Sequence, residues 1–218
     1  MESRASEAFR RLSCDPRLGP RVGVWHVDRV VERLTRGDLL GAHSAAYVDR
    51  LFSDKLESEI IQTYELVDAH GRFHRYNPAN ARLPLTDLFD RVLVRAAGTL
   101  QCCRIALRSG FCFYFGGGMH HAQKERGGGF CLVNDLVIAL RRLQSENRIA
   151  SAWVIDVDAH KGDGTAALAA GDDSIATLSI HMAAGWPLDQ PECGADGRPN
   201  PSFIPSTIDI GIAEGEER

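Results

Sequence analysis

The chain has 218 residues, a formal net charge of −4 and an isoelectric point near 6.1, with 44% hydrophobic and 25% charged residues. That balance excludes an intrinsically disordered chain, and the mild acidity leaves no basic footprint for nucleic acid or for an anionic membrane surface. A chain of this length buries roughly 70% of its unfolded surface, so it can form a core without staples and suits one large domain or two small ones.

The N-terminus, MESRASEAFRRL, is charged from its second residue and carries no apolar stretch of the kind an export signal needs. The longest apolar runs, such as Leu136 to Leu140, are far too short to span a bilayer. Six cysteines with no C-x-x-C pair read as reduced thiols, so a cytoplasmic location is expected.

Val27, Val30, Val31 and Leu34 fall at i, i+3, i+4 and i+7, which predicts an amphipathic helix. The same spacing predicts a helix from about Leu88 to Leu107, through Val92, Ala96, Leu100 and Cys103, stopping at Ser109-Gly110. Phe111 to Phe115 is a short all-apolar run that predicts a strand buried on both faces, broken at Gly116-Gly117-Gly118. After a second glycine cluster at Gly127-Gly128-Gly129, residues Val133, Leu136, Val137 and Leu140 again have helical spacing. Strands are expected at Ser151–Ile155, Ser174–Ile180 and Ile208–Ile212, with a short helix from Thr165 to Ala170 and an ordered loop from Pro187 to Pro205. Alternating strands and helices argue for a single α/β domain with a parallel sheet and helices on both faces.

In such sheets, ligands bind beyond the carboxyl ends of the strands. Three of those ends carry unusual polar residues: Gly116 to His121, Asp156 to Gly164, and His181 to Trp186. Asp156, Asp158 and His160 alternate, so in an extended segment all three face one side, as a carboxylate and imidazole set suited to Zn²⁺ or Fe²⁺ and less to Ca²⁺. The plainer alternative is that the two aspartates cap a strand exit. His120 and His121 next to a metal-bound water would make a general base and a general acid, with Asp156 and Asp163 as the carboxylates that orient them. A pair of surface loop histidines is the alternative. Phe130 and Trp186 flank these loops and could line an apolar channel or belong to the core. No G-x-x-x-x-G-K-[ST] or G-x-S-x-G occurs, which argues against a nucleotide-phosphate site and a serine nucleophile.

Taken in order, the segments Phe113 to Asp135 (FYFGGGMHHAQKERGGGFCLVND), Trp153 to Thr165 (WVIDVDAHKGDGT) and Leu178 to Asp189 (LSIHMAAGWPLD) resemble the histone deacetylase and acetylpolyamine amidohydrolase family. The glycine-rich form is most similar to its class IV branch and bacterial relatives. AHSAAYVDRL, from Ala42 to Leu51, is similar to the family's early H-x-x-x-Y-V segment. The resemblance implies an arginase–deacetylase-like fold, a three-layer α/β architecture with a mostly parallel sheet. It implies a zinc-dependent deacetylase that hydrolyses an acylated lysine or polyamine by metal-activated water and a tandem-histidine proton relay. Asp158 and His160 match two zinc ligands, His120 and His121 the proton-handling pair, and Asp156 and Asp163 their partners. Gly129 and Phe130 match the substrate-channel wall, with Trp186 in place of the facing aromatic. Asp156, Asp158, His160, Ser179 and Ile180 match a structural potassium site.

The family's third zinc ligand, its oxyanion-stabilising tyrosine and its C-terminal glycine-rich loop find no match before Arg218, and the usual N-terminal His-Pro pair is not recognisable. The expectation is one deacetylase-like domain over residues 1–218, incomplete at its C-terminal end. Two other readings stand beside an active deacetylase: a catalytically impaired remnant that only binds, and, on the Asp158-Ala159-His160 triplet, a ureohydrolase of the same fold.

Overall fold

A computed structural model describes residues 4–194, 197–213 and 215. The N-terminal half is helical: α1 (Arg4–Cys14), α2 (Val22–Trp25), α3 (Arg36–Leu40), α4 (Ala45–Leu51), α5 (Leu56–Thr63) and α6 (Asp87–Ser109). Thr35 and Asp38 start α3 with reciprocal side-chain caps, and Ser44 caps α4. The long α6 ends where its pattern predicts, at Gly110, which takes the left-handed conformation (φ 83°) that favours glycine.

Beyond Gly110 come α7 (Asp135–Ser145), β1 (Ala152–Asp156), α8 (Asp163–Ala169), β2 (Ile175–Met182) and β3 (Ile208–Ile212). The three strands form a parallel sheet in the order β1-β2-β3, with Asp156 opposite Ser179 and Ser179 opposite Asp209. The main core lies between α4, α5, α6, α7 and the loop before α7, where Tyr47, Leu51, Ile60, Val92, Leu132 and Val137 are fully buried. The Tyr47 hydroxyl meets its hydrogen-bonding need there by donating to the Leu132 carbonyl at 2.8 Å. All six cysteines are free thiols, and among the described residues no helix is long and apolar enough to cross a membrane.

Three expectations need correction. Residues 27–34 are not a helix: Val27 and Val31 are exposed, and the segment crosses α6 as an irregular strap. Its backbone is held by the Gln101 side chain, whose Oε1 accepts from Val31 and Glu32 and whose amide donates to the Arg29 carbonyl. Residues 111–115 form no strand and are not buried on both faces. Tyr114 packs onto Gly98 of α6, while Phe111, Phe113 and Phe115 turn outward and are exposed. Nor do helices cover both faces of this sheet among the described residues. Ile175, Thr177, Ser179 and His181 of β2 are buried on the side that α8 packs against. On the opposite side Trp153, Ile155, Ile208 and Ile210 are 57%, 66%, 42% and 45% exposed.

Candidate active site

The crevice is built at the carboxyl ends of β1 and β2, where the sequence motifs converge. The first element is the glycine loop that delivers His120 and His121. Its anchor is Asp135, the first residue of α7 and fully buried. Asp135 accepts from the backbone N–H groups of Gly118 (3.0 Å) and Met119 (2.7 Å) and from the Thr99 hydroxyl. Gly117 adopts φ 75°, and a Cβ there would fall within 2.5 Å of both the Thr99 hydroxyl and the Asp135 carboxylate. Only glycine lets the loop close onto this anchor. Asn134 caps α7 and donates to the Thr165 hydroxyl, locking α7 to α8 next to His120.

Each histidine reaches one of the two aspartates. His120 Nδ1 lies 2.6 Å from Asp156 Oδ2, and His121 Nδ1 lies 2.7 Å from Asp163 Oδ1. With ionised carboxylates both Nδ1 atoms are donors, which leaves each Nε2 turned to the crevice. The rings stack with centroids 3.9 Å apart, and all four side chains are almost wholly buried. Burial alone would lower the His120 pKa, but the hydrogen bond to Asp156 and the charges of Asp156, Asp158 and Asp163 outweigh it, so it lies above the ordinary imidazole value. At His121 burial prevails: reinforced by the neighbouring His120 and His160, it overcomes the Asp163 bond and lowers the pKa. Two adjacent imidazoles are thus driven to opposite protonation preferences.

The other expected ligands are more open. β1 ends at Asp156, whose two oxygens are both engaged, Oδ2 with His120 Nδ1 (2.6 Å) and Oδ1 with the Asp158 N–H, which donates to it at 3.0 Å. The Asp158 and His160 side chains are 53% and 45% exposed and lie side by side, His160 Nδ1 3.2 Å from Asp158 Oδ1. His120 Nε2 lies 4.0 Å from that same oxygen. Ser179 stands opposite Asp156 in the sheet register, on its helix-covered face, whereas the Ile180 side chain belongs to the other face.

Of the expected channel residues, Gly129 and Trp186 meet. A Cβ on Gly129 would fall 2.5 Å from both the His121 ring and the Trp186 ring, so glycine is required for that close approach. The Trp186 ring lies 4.5 Å from His121 and 5.6 Å from His160, centroid to centroid, and roofs the histidines. Phe130, at φ 64°, turns instead toward Tyr64 (6.1 Å) and the Arg75 guanidinium (5.3 Å).

Several supporting residues were not foreseen. Asp163 Oδ2 accepts from Ser202 (2.6 Å) and Gln123 (2.9 Å), so both its oxygens are committed while it holds His121. The buried Lys161 ammonium donates to the Ile204 carbonyl at 2.8 Å and lies 3.6 Å from Asp209. Together Ser202 and Lys161 pin the loop before β3 to the site. His43, fully buried, accepts from the Asn134 N–H at Nε2 (3.0 Å) and faces the Gln123 carbonyl at Nδ1 (2.8 Å). Burial pushes its pKa down to about 4, so it is a neutral bridge under the site. For Ser202, 39 residues from its partner, nothing in the local pattern announces the contact.

Residues 2–206 match the histone deacetylase domain. An acetoin utilization protein, AcuC, of Staphylococcus aureus is 43% identical over 157 residues, which is 70% of this chain and 38% of that one. Histone deacetylase B of Dictyostelium discoideum is 31% identical over 68% of this chain and 33% of its own, and an uncharacterized Picosynechococcus protein is 29% identical over 74% and 51%. A crystal structure of a histone deacetylase homologue from Aquifex aeolicus shares the fold, with a TM-score of 0.58 at 20% identity, over 84% of this chain and 47% of that one. The chain therefore spans about half the length, or less, of the relatives it matches. With residues 2–206 of its 218 matching the family's domain, the chain belongs to the histone deacetylase family.

Proposed function

We propose that this chain carries the proton-handling part of a deacetylase site that cleaves the amide of an acylated lysine or acylated polyamine. The observation that carries the reading is the pair of buried His–Asp dyads set side by side beneath Trp186 and next to Asp158 and His160. In this reading Asp163 fixes the His121 tautomer, and His121 Nε2 takes a proton from the water that attacks the acyl carbonyl. The tetrahedral carbon then expels the amine, which leaves with that proton as the C–N bond breaks. His120, held by Asp156, supplies the neighbouring donor for charge developing on the oxygen. Gly129 and Trp186 leave a narrow wall for an extended aliphatic chain. A cytoplasmic location belongs to the same reading, as does a monovalent cation near Asp156 and Ser179.

A catalytic zinc takes three protein ligands and keeps a fourth position for water, which it polarises. Asp158 and His160 are ligands of the right chemistry, yet among the described residues no three His, Cys, Asp or Glu side chains are grouped so as to hold a metal ion. Among the described residues these two donors fall one short of a catalytic zinc's set.

The test is a fusion of this chain to the part of the S. aureus AcuC protein that it does not match, assayed with zinc for acetate release from an acetyl-lysine peptide and from an N-acetylated polyamine. Turnover that His121→Ala abolishes while zinc content is retained supports the reading. Turnover that survives His121→Ala at full rate refutes it.

A further inference from the structure

Beside the Gly129–Trp186 wall lies a cavity of about 260 Å³ that the proton-handling reading does not use. It is lined by His121, Gly129 and Trp186, and also by Glu65, Gln123 and Arg126. The two charged residues meet there because the end of α5 touches the glycine loop. A Cβ on Gly127 would fall 2.3 Å from the Thr63 hydroxyl, and the Thr63 carbonyl accepts from the Phe130 N–H at 3.2 Å. Glu65 lies just beyond Thr63 and Arg126 just before Gly127, so a carboxylate and a guanidinium share one small space. Glu65 sits past the end of α5 at φ 50°, a left-handed conformation that glycine adopts freely, so backbone strain accompanies a carboxylate at this place. Its partner Arg75, at 3.3 Å, is half exposed as Glu65 is, and a carboxylate has lone pairs for a second donor. The Arg126 guanidinium has no ion pair or hydrogen bond among the described residues. Gln123, 4% exposed, spends its Nε2 on Asp163, and its buried Oε1 has no partner among the described residues. An acceptor left over in the interior is ordinarily matched by a donor.

We propose that this cavity binds the zwitterionic head of a free acylated diamino acid, of which Nε-acetyl-lysine is the simplest. The α-carboxylate pairs with Arg126, the α-ammonium with Glu65, and the acylated side chain passes Gly129 and Trp186 toward His121. Gln123 Oε1 is the acceptor at hand for an N–H of the ligand. One charge of each sign on a small cavity matches a zwitterion better than any other head group. A lysine inside a peptide carries neither charge on its backbone. A polyamine carries only positive charge, which Arg75 and Arg126 repel. A volume of about 260 Å³ lies below the range of drug-sized pockets and suits a single amino acid. The binding part of the inference stands on the charges of the cavity; that the bound amino acid is also the substrate rests on the deacetylase reading.

The test titrates the 218-residue chain with three compounds: Nε-acetyl-lysine, the same molecule capped as its Nα-acetyl N-methylamide, and N-acetylputrescine. Binding is followed by calorimetry, and the His121 Nδ1 proton by NMR. The free amino acid is expected to bind about tenfold tighter than either of the others and to shift that proton. Glu65→Gln and Arg126→Gln, both at exposed positions, should leave the Tm unchanged. Each should weaken binding of the free amino acid by about fivefold to tenfold and leave that of the capped compound as it was. Equal binding of the capped compound, tighter binding of N-acetylputrescine, no saturable binding of the free amino acid, or indifference to both substitutions would each overturn the inference. Binding as expected, with none of the three compounds hydrolysed by the zinc-loaded AcuC fusion, would leave the site standing and sink the deacetylase reading. Hydrolysis by the fusion without the binding preference would do the reverse.

Discussion

His43 links acid sensitivity to the ground beneath the active site. Its Nε2 accepts the Asn134 N–H, so that nitrogen has to be unprotonated, and its Nδ1–H donates to the Gln123 carbonyl. Protonating Nε2 would set one N–H against another in a dry interior. The folded-state pKa falls from the ordinary 6.5 to about 4 because of burial, with only the Gln123 bond opposing. A depressed histidine pKa contributes stability that is present above the unfolded value and lost as pH falls, because the unfolded chain takes up the proton first. Two and a half pH units at about 1.4 kcal/mol each make the full effect about 3–4 kcal/mol, of which about 2 kcal/mol is lost between pH 8 and pH 5. Urea unfolding followed at pH 8, 6.5 and 5 on the natural chain and on His43→Gln isolates this effect, since the glutamine cannot titrate. The variant is expected to be less stable at pH 8 and to lose about 2 kcal/mol less than the natural chain on going to pH 5. Parallel losses in the two proteins would refute the assignment of a neutral, doubly bonded His43.

Other positions give independent checks. Gly117→Ala forces a Cβ into the Thr99–Asp135 contact at φ 75° and should cost about 2–4 kcal/mol, read as a lowered Tm. Tyr47→Phe leaves the buried Leu132 carbonyl without its donor and should cost about 1–2 kcal/mol in the same measurement. Asp163→Asn keeps the size of the side chain, but with its one oxygen held by the Ser202 and Gln123 donors it turns an N–H₂ donor toward His121 Nδ1 and so reverses the tautomer. It should leave the fold intact and lower turnover of the fused deacetylase by about three to four orders of magnitude, as in related His–Asp catalysis. A Tm unchanged by Gly117→Ala, or full activity in Asp163→Asn, would show that these contacts do not do what their geometry implies.

What could be read from the sequence depended on how local its cause was. The apolar spacing of α6 and α7 and the runs of β1, β2 and β3 coincide with the elements because each is shaped by its own residues and end signals. The helix expected at 27–34 fails because its backbone is claimed by Gln101, some 70 residues away, a contact that helical periodicity cannot encode. The run from Phe111 to Phe115 reads as doubly buried because it is apolar throughout, yet one side packs on α6 and the other stays open. In the site, residue type and order were enough to name Asp156 and Asp163 as the carboxylates for the two histidines, while which one faces which ring comes from the structure. Asp156 and Asp158 lie around one ring, His120, as their alternation past the end of β1 suggests, with His160 beside Asp158. Ser202, Gln123, Lys161 and His43 were silent because their roles arise from chain crossings that no spacing records.

The central claim is that His120 and His121 are two separate dyads, each with Nδ1–H bound to its own carboxylate and Nε2 left for chemistry. Nitrogen-15 NMR of the histidine side chains in the 218-residue chain tests it without requiring turnover. The account predicts two hydrogen-bonded Nδ1 protons, of which Asp156→Asn perturbs only that of His120 and Asp163→Asn only that of His121. Nε2–H tautomers at both rings, or a single substitution that disturbs both protons alike, would contradict it.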